Sequence, residues 1–391
     1  MKKVNLFNSM LSNLLGFKNL TGLVLILLFA SCSKNVNANP VETKSDNKIQ
    51  VAILLDTSNS MDGLIDQAKS RLWDIVNTLT TLKYQGKNPR IEIALYEYGN
   101  DGLSAKSNYI RQVAPMTTDL DLISEKLFAL RTNGGEEYCG AVIQDAVNKL
   151  NWADGRADMK LIYIAGNEPF TQGRISYKEA ISAALNKGIY VNTIFCGDKQ
   201  EGIREYWKDG ADRGQGKYFN IDSNAKVRYI STPYDDRISE CNVRLNATYI
   251  AYGSQGYEKQ QNQVAQDKNA MSVSKENSVT RAVSKSKSVY KNTSWDLVDK
   301  YEEKQSLADI KKSELPKELQ NKPEQELKVF IETKQKERAD IQKEMDGLAK
   351  KRQEYMDAEN KKGQTTGDDL GKAINASILA FANGKGYTVE K

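Results

Sequence analysis

Residues 49–55, Ile-Gln-Val-Ala-Ile-Leu-Leu, form a near-continuous apolar run that constrains the fold more than any other feature of the chain. Such a run is typical of a β-strand that is buried on both faces of a parallel sheet. Residues 62–83 follow with apolar side chains at helical spacing. Buried strands and amphipathic helices then alternate as far as residue 253. This alternation predicts an α/β fold in which a doubly wound, mostly parallel sheet occupies residues 48–253.

The composition changes after residue 253. Residues 254–294 are rich in Gln, Asn, Ser and Lys and are predicted to be a polar linker with helical segments. Residues 295–391 are predicted to be an α-helical C-terminal region. Within residues 324–359, eight positions recur at alternating spacings of three and four, as in a coiled coil, but three of them are basic. This pattern favours packing against other helices over a long independent coiled coil.

The absence of histidine excludes several kinds of catalytic and metal site. Ser-His-Asp and Cys-His catalysis and histidine-ligated zinc all require an imidazole, and the chain has none. Only three cysteines follow Cys32, which are too few for a zinc site with four thiolates. A metal ion would therefore be bound mainly by oxygen atoms.

The N-terminal residues carry the pattern of a signal peptide. Three lysines precede an apolar run at 23–30 that is too short to span a bilayer, and no acidic residue comes before Cys32. The sequence Ala-Ser-Cys at 30–32 resembles a bacterial lipobox, which implies a signal peptide at 1–31, a lipidated Cys32 and a polar tether at 32–47. An ordinary cleaved signal peptide with an incidental cysteine is the alternative.

The same resemblance implies the location of the protein. A lipidated protein of this kind would be anchored in the bacterial cell envelope. By analogy with lipoprotein sorting, Ser33 favours the outer membrane, and the lack of an acidic run at 33–40 favours the side that faces the periplasm. Removal of the three leader lysines would lower the net charge from +5 to +2, which gives no electrostatic attraction to nucleic acid.

Three oxygen-bearing side chains follow the first strand: Asp56, Ser58 and Ser60, in the pattern D-x-S-x-S. In open α/β sheets, ligand sites form beyond the carboxyl ends of the strands. The motif at this position resembles the metal-ion-dependent adhesion site (MIDAS) of the von Willebrand factor type A (VWA) family. The resemblance covers residues 48–253 and implies that the serines contact a divalent cation, Mg²⁺ or Mn²⁺, while the aspartate acts through water. It further implies that an acidic side chain of a protein partner completes the coordination.

Two later segments match the other site loops of that family, with departures. Gly134-Gly135 is followed by Glu136 and Glu137 where the family has a threonine, and Ala165-Gly166-Asn167-Glu168 stands where it has Thr-Asp-Gly. The predicted metal ligands are therefore Asp56, Ser58, Ser60 and Glu136, with Glu137, Asn167 and Glu168 as further candidates. A coordinating Glu136 would also occupy the position of a partner's acidic group.

The resemblance implies an envelope lipoprotein that binds an unidentified protein ligand, and it implies no enzymatic activity. Two alternatives remain. In the first, the site is vestigial, its serines cap the following helix, and the C-terminal helices recruit partners to a structural scaffold. In the second, Asp56 is the nucleophile of a phosphatase, although such chemistry requires a carboxylate at position 58, where the chain has serine.

The cysteines after Cys32 are Cys139, Cys196 and Cys241. Cys139 lies in a site loop and Cys196 ends a predicted parallel strand, so both are expected at the same edge of the sheet. A disulfide between them is predicted for an oxidising envelope, with three unpaired buried thiols as the alternative. Cys241 is predicted to be buried and free.

Overall fold

The structure is a computed structural model that describes residues 47–304, 306–308, 310–362 and 370–389. The predicted signal peptide, Cys32 and the tether up to residue 46 lie outside the described residues. The strands are β1 (Lys48–Asp56), β2 (Leu82–Tyr84), β3 (Arg90–Tyr98), β4 (Ile110–Thr117), β5 (Met159–Gly166), β6 (Ile189–Cys196), β7 (Gln215–Ile221) and β8 (Tyr387–Val389). The helices are α1 (Asp62–Thr80), α2 (Leu120–Ala129), α3 (Cys139–Lys149), α4 (Tyr177–Asn186), α5 (Lys199–Arg204), α6 (Trp207–Arg213), α7 (Asp235–Asn246), α8 (Gly256–Val273), α9 (Lys275–Ser286), α10 (Leu297–Lys304), α11 (Lys317–Gln320), α12 (Glu324–Lys362) and α13 (Leu370–Gly384).

The central sheet has six strands in the order β4-β3-β1-β5-β6-β7. All neighbouring strands are parallel except β3 and β4, which are antiparallel. Since β2 pairs only with β8, outside this sheet, the order is the 3-2-1-4-5-6 arrangement of doubly wound folds. The predicted fold class, a mostly parallel doubly wound sheet followed by helices, is confirmed.

The two faces of the sheet are buried by different helices, as right-handed crossovers require. Alternate residues of β1 enter two separate hydrophobic clusters: Ile53 and Leu55 lie with α1 and α2, and Ala52 and Leu54 lie with α3 and α4. Strand β1 therefore has apolar residues at consecutive positions because both of its faces are covered.

The C-terminal helix α13 completes the helical layer on the face of α1. It packs against α1, β5, β6 and β7, and Ile374 and Ile378 are fully buried in the same cluster as α1. The Ser377 hydroxyl donates a hydrogen bond of 2.8 Å to Asn192 Oδ1 on β6. The sheet is thus covered in part by a helix that follows β7 by about 150 residues, as the bounds of the two elements show.

Residues 254–294, which the sequence analysis predicts as a polar linker with helical segments, contain the helices α8 and α9, and these helices pack on α1, α2 and α7. Val279 and Val283 join the hydrophobic cluster of α1. This segment is polar in composition because ion pairs are buried in its interface with the rest of the domain. The fully buried Arg281 and Lys285 both pair with Asp267. The described residues from 47 onward accordingly belong to one compact unit.

Helix α12 packs against α7, α9 and α10. Two of its basic heptad positions are buried by ion pairs: Arg338 contacts Asp296 at 2.6 Å and Asp299 at 2.9 Å, and Arg352 contacts Asp235 at 3.0 Å. These two arginines can lie on the packed face of the helix because each forms an ion pair with an acidic side chain there. Within the described residues, no helix is both long and apolar enough to cross a bilayer.

Candidate metal centre

The D-x-S-x-S motif lies at the carboxyl end of β1, between β3 and β5. Asp56 is the last residue of the strand, and the backbone N–H of Ser58 donates a hydrogen bond of 2.8 Å to Asp56 Oδ1. The hydroxyl oxygens of Ser58 and Ser60 are 3.2 Å apart. The chain after β1 therefore turns so that one carboxylate and two hydroxyls lie together. Because the strand order reverses between β1 and β5, this is the edge at which a doubly wound sheet opens a crevice.

Asp56 is a buried carboxylate without a compensating positive charge. Its side chain is fully buried, and Oδ2 has no hydrogen-bond partner among the described residues. Burial raises the pKa of Asp56 to about 7, against the opposing hydrogen bond from Ser58, and the charge of Glu168 raises it further. An ionised carboxylate in such a place is costly unless a cation pairs with it.

Glu137 is the glutamate of the second loop that lies beside Asp56. A Cβ atom at Gly99 would lie 2.8 Å from Glu137 Cγ and 2.9 Å from Asp56 Oδ1, so both side chains meet over this glycine. Glu137 is 6% exposed. Burial, and then the charge of Asp56, raise the pKa of Glu137 to about 8. Two buried carboxyl groups thus adjoin each other.

Glu136, which the sequence analysis predicts as the ligand, is placed differently. It is exposed, and its carboxylate accepts hydrogen bonds from the Tyr138 hydroxyl at 3.5 Å and from Gln172 Nε2 at 3.3 Å. Residues 131–138 form no helix before α3 begins at Cys139. The side chain of Glu137, rather than that of Glu136, therefore packs over Gly99 beside Asp56.

The third loop contributes Asn167 and Glu168. The amide group of Asn167 lies 3.2 Å (Nδ2) and 3.5 Å (Oδ1) from Ser60 Oγ, and either orientation of this amide is chemically reasonable. Glu168 is half-buried, and its charge contributes to the raised pKa of both Asp56 and Glu137. Both predicted residues of this loop are therefore at the site.

The loop after β3 also shapes the site, although the sequence analysis did not single it out. Gly99 has a left-handed backbone with φ of +78°, and any side chain there would displace Asp56 or Glu137. The Asn100 amide donates to the carbonyl oxygen of Arg131 at 2.9 Å, which ties this loop to the second loop. The available signal is the turn sequence Gly-Asn-Asp-Gly at 99–102 directly after an apolar strand.

The donors at this edge are those that Mg²⁺ or Mn²⁺ prefers. The carboxylates of Asp56 and Glu137, the hydroxyls of Ser58 and Ser60 and the Asn167 amide are all hard oxygen ligands. No group of three or more Cys, Asp or Glu side chains in the described ranges is arranged to hold a metal. Ser58 precedes the short 3₁₀ turn Asn59–Met61, but its side chain makes no capping hydrogen bond, which counts against a role in capping alone.

The predicted disulfide between Cys139 and Cys196 is absent. Both residues, like Cys241, are free and buried. Cys139 belongs to the hydrophobic cluster of α3 and Cys196 to the cluster of α1, so their side chains lie on opposite faces of the sheet. The shared edge that the sequence predicts does not bring the sulfur atoms together, because the sheet itself separates them.

No protein-family model and no curated protein matches the chain. Among solved structures, an aerotolerance-related membrane protein from Bacteroides fragilis is 17% identical over 45% of this chain and 93% of that chain, with a TM-score of 0.32. The VWA domain of SpRpn10 is 16% identical over 44% and 87%, with a TM-score of 0.32. Proximal thread matrix protein 1 from the mussel byssus, with a zinc-occupied MIDAS motif, is 13% identical over 45% and 42%, with a TM-score of 0.34.

The fold is VWA-like. The assignment rests on the strand order, on the antiparallel edge strand β4 and on the D-x-S-x-S sequence at the end of β1. The two further loops reach the same edge of the sheet, as the sequence resemblance implies.

Proposed function

We propose that the VWA-like domain binds a divalent cation, Mg²⁺ or Mn²⁺, at the candidate metal centre and uses this edge to bind a protein partner. The observation that carries the proposal is the fully buried Asp56, whose Oδ2 has no hydrogen-bond partner, beside the buried Glu137. Two adjoining buried carboxyl groups with no basic partner among the described residues can ionise at low cost only if a cation binds beside them. The hydroxyls of Ser58 and Ser60 provide neutral oxygen ligands at the same place.

Each residue has a distinct part in this proposal. Ser58 and Ser60 would contact the cation, and Asp56 would contact it directly or through water. A bound cation offsets the charge of the carboxylates and can coordinate an acidic side chain of a protein ligand. The proposal includes no catalytic step, since Ser58 stands where an aspartyl phosphatase needs its general acid.

The first prediction concerns thermal stability. A cation that binds only the folded state at 100 times its Kd stabilises it by about 2.7 kcal/mol. For a chain of this size, this should raise the Tm by roughly 3–8 °C. Asp56→Asn and Ser58→Ala should lose the increase caused by millimolar Mg²⁺ or Mn²⁺ in differential scanning fluorimetry. Ser104→Ala, which alters an exposed serine in a nearby loop, should retain it.

The pH dependence of the same increase follows from the two raised pKa values. Without a cation, protonation keeps Asp56 and Glu137 neutral, and this contribution to stability is lost as the pH rises through about 7 and 8. A cation competes with those protons, so the Mg²⁺-induced increase in Tm should be larger at pH 8 than at pH 6. Equal increases at both pH values would argue against binding by these carboxylates.

We further propose that the protein is lipid-anchored at Cys32 in the bacterial cell envelope, in the outer membrane and facing the periplasm. The support is the lipobox-like sequence Ala-Ser-Cys at 30–32 after an apolar run. Cys32→Ser should abolish metabolic labelling with a fatty acid and release the protein from the membrane fraction. Continued labelling and membrane association of this variant would contradict the anchor.

A further inference from the structure

The geometry points to Glu137 as an internal ligand that closes the candidate metal centre against an acidic partner. This inference rests on the proposed function, because it concerns the coordination of the same cation. It assigns to Glu137 the coordination position that an external carboxylate would otherwise take. A partner with an acidic side chain would then bind only after displacing Glu137.

The first support is the position of Glu137 relative to Asp56. Both side chains pack over Gly99, where a Cβ atom would lie 2.8 Å from Glu137 Cγ and 2.9 Å from Asp56 Oδ1. Neither carboxylate has a lysine or arginine partner among the ion pairs of the described residues, although both are buried. The other oxygen of Asp56, Oδ2, is itself unpartnered in the interior. The charges of these two neighbouring acids can therefore be neutralised only by a cation or by protons.

The second support is that the backbone holds Glu137 in this place. A Cβ at Gly135 would collide with the carbonyl oxygen of Gly99, so the second loop lies directly against the loop after β3. The N–H of Asp101 donates to the carbonyl oxygen of Gly134 across the same contact. Two residues after Glu137, helix α3 begins at Cys139, which is fully buried. Glu137 is therefore fixed on both sides and does not reach the site from a free loop.

The third support is the contrast with the neighbouring glutamate. Glu136 is exposed and hydrogen-bonded to Tyr138 and Gln172, away from Asp56. It carries the same side chain one residue away, so it provides a matched control for charge and loop context. Its substitution should leave the cation site unchanged.

The test uses Mn²⁺ as the probe and the purified full chain. Water-proton relaxation reports the affinity of the bound Mn²⁺ and its number of exchangeable waters. Glu137→Ala should weaken Mn²⁺ binding by at least about tenfold, because substitution even of residues that only support metal ligands typically lowers metal affinity by about that factor. The same variant should raise the relaxivity of the bound ion. Acetate, a simple carboxylate, should then lower the relaxivity of this variant by filling the vacated position. In the wild type and in Glu136→Ala, acetate should have no such effect.

The outcomes separate this inference from the proposed function. If Mn²⁺ binds Glu137→Ala with the affinity and relaxivity of the wild type, Glu137 is not a ligand and the inference is overturned while the metal site stands. Loss of binding in Glu136→Ala would overturn it as well. If the wild type itself binds no Mn²⁺, the proposed function fails, and the inference fails with it. Should Glu137→Ala not fold by circular dichroism, Glu137→Gln, which keeps the size and removes the charge, is measured instead and should also bind Mn²⁺ more weakly.

Discussion

Deletion of residues 370–391 is expected to abolish the cooperative unfolding transition of the sheet domain. Helix α13 covers β5, β6 and β7 with Leu370, Ile374 and Ile378, each at most 1% exposed. Burial of a large aliphatic side chain contributes about 1.5–3 kcal/mol, so these three together contribute roughly 5–9 kcal/mol. This is comparable to the entire stability of a typical domain, about 5–15 kcal/mol. The deletion also exposes the apolar surface of the sheet beneath the helix.

Two neighbouring point variants provide a milder form of this prediction. Ile378 is fully buried and Leu379 is 39% exposed, although they are adjacent in the chain. Ile378→Ala should lower the free energy of unfolding by about 2–5 kcal/mol, and Leu379→Ala by less than about 1 kcal/mol. Chemical denaturation measures both. A truncated chain that unfolds at the denaturant midpoint of the full chain would show that α13 is not part of the domain.

Arg281→Ala is expected to destabilise the protein by about 3–5 kcal/mol, because it leaves buried acids without their counter-charge. The guanidinium of Arg281 is 1% exposed and contacts Asp121 at 2.8 Å and Asp267 at 2.6 Å. It also lies over the ring of Trp73 at 4.6 Å from the centroid. This one side chain therefore joins α9 to α1, α2 and α8, and its loss affects four helices at once.

Arg237→Ala is the matched control for this prediction. Arg237 also pairs with two acids, Glu240 and Glu344, but its side chain is 53% exposed. Exposed pairs of this kind contribute about 0–1 kcal/mol. Urea denaturation of the two variants should therefore separate them clearly. Equal midpoints would mean that the buried network around Arg281 contributes no more than a surface ion pair.

The part of the fold that local patterns specify was predictable from the sequence. The apolar strands and the amphipathic helices up to residue 253 identify the α/β class, and Asp56, Ser58 and Ser60 mark the end of β1 as a candidate site. The place of α13 was not predictable in the same way. Its apolar positions indicate a helix, but they do not show that this helix packs beside β7, which ends about 150 residues earlier in the chain.

Buried charge explains the other differences. Residues 254–294 are polar by composition, yet Arg281 and Lys285 are buried because Asp267 pairs with both of them. Hydropathy patterns treat such residues as exposed, so they predict a linker with helical segments and do not show that these helices pack against the sheet domain. The basic heptad positions of α12 have the same origin, since Arg338 packs against the paired Asp296 and Asp299.

The choice between Glu136 and Glu137 depended on backbone direction, which spacing alone does not determine. The sequence places both acids after the glycine pair, and the path of the irregular segment before α3 decides which of them lies beside Asp56. The prediction of a disulfide was wrong for a related reason. The sequence pattern places Cys139 and Cys196 at the same edge of the sheet, but their side chains lie on opposite faces of it.

The most direct measurement of the central claim is anomalous diffraction from crystals of the protein grown with millimolar Mn²⁺. The proposed function predicts an anomalous peak at the carboxyl end of β1, within coordination distance of the hydroxyl oxygens of Ser58 and Ser60 and beside the carboxylates of Asp56 and Glu137. The peak should be missing from crystals of Asp56→Asn grown in the same way. If wild-type crystals show no anomalous peak among these side chains, the VWA-like domain does not bind its partner through a cation.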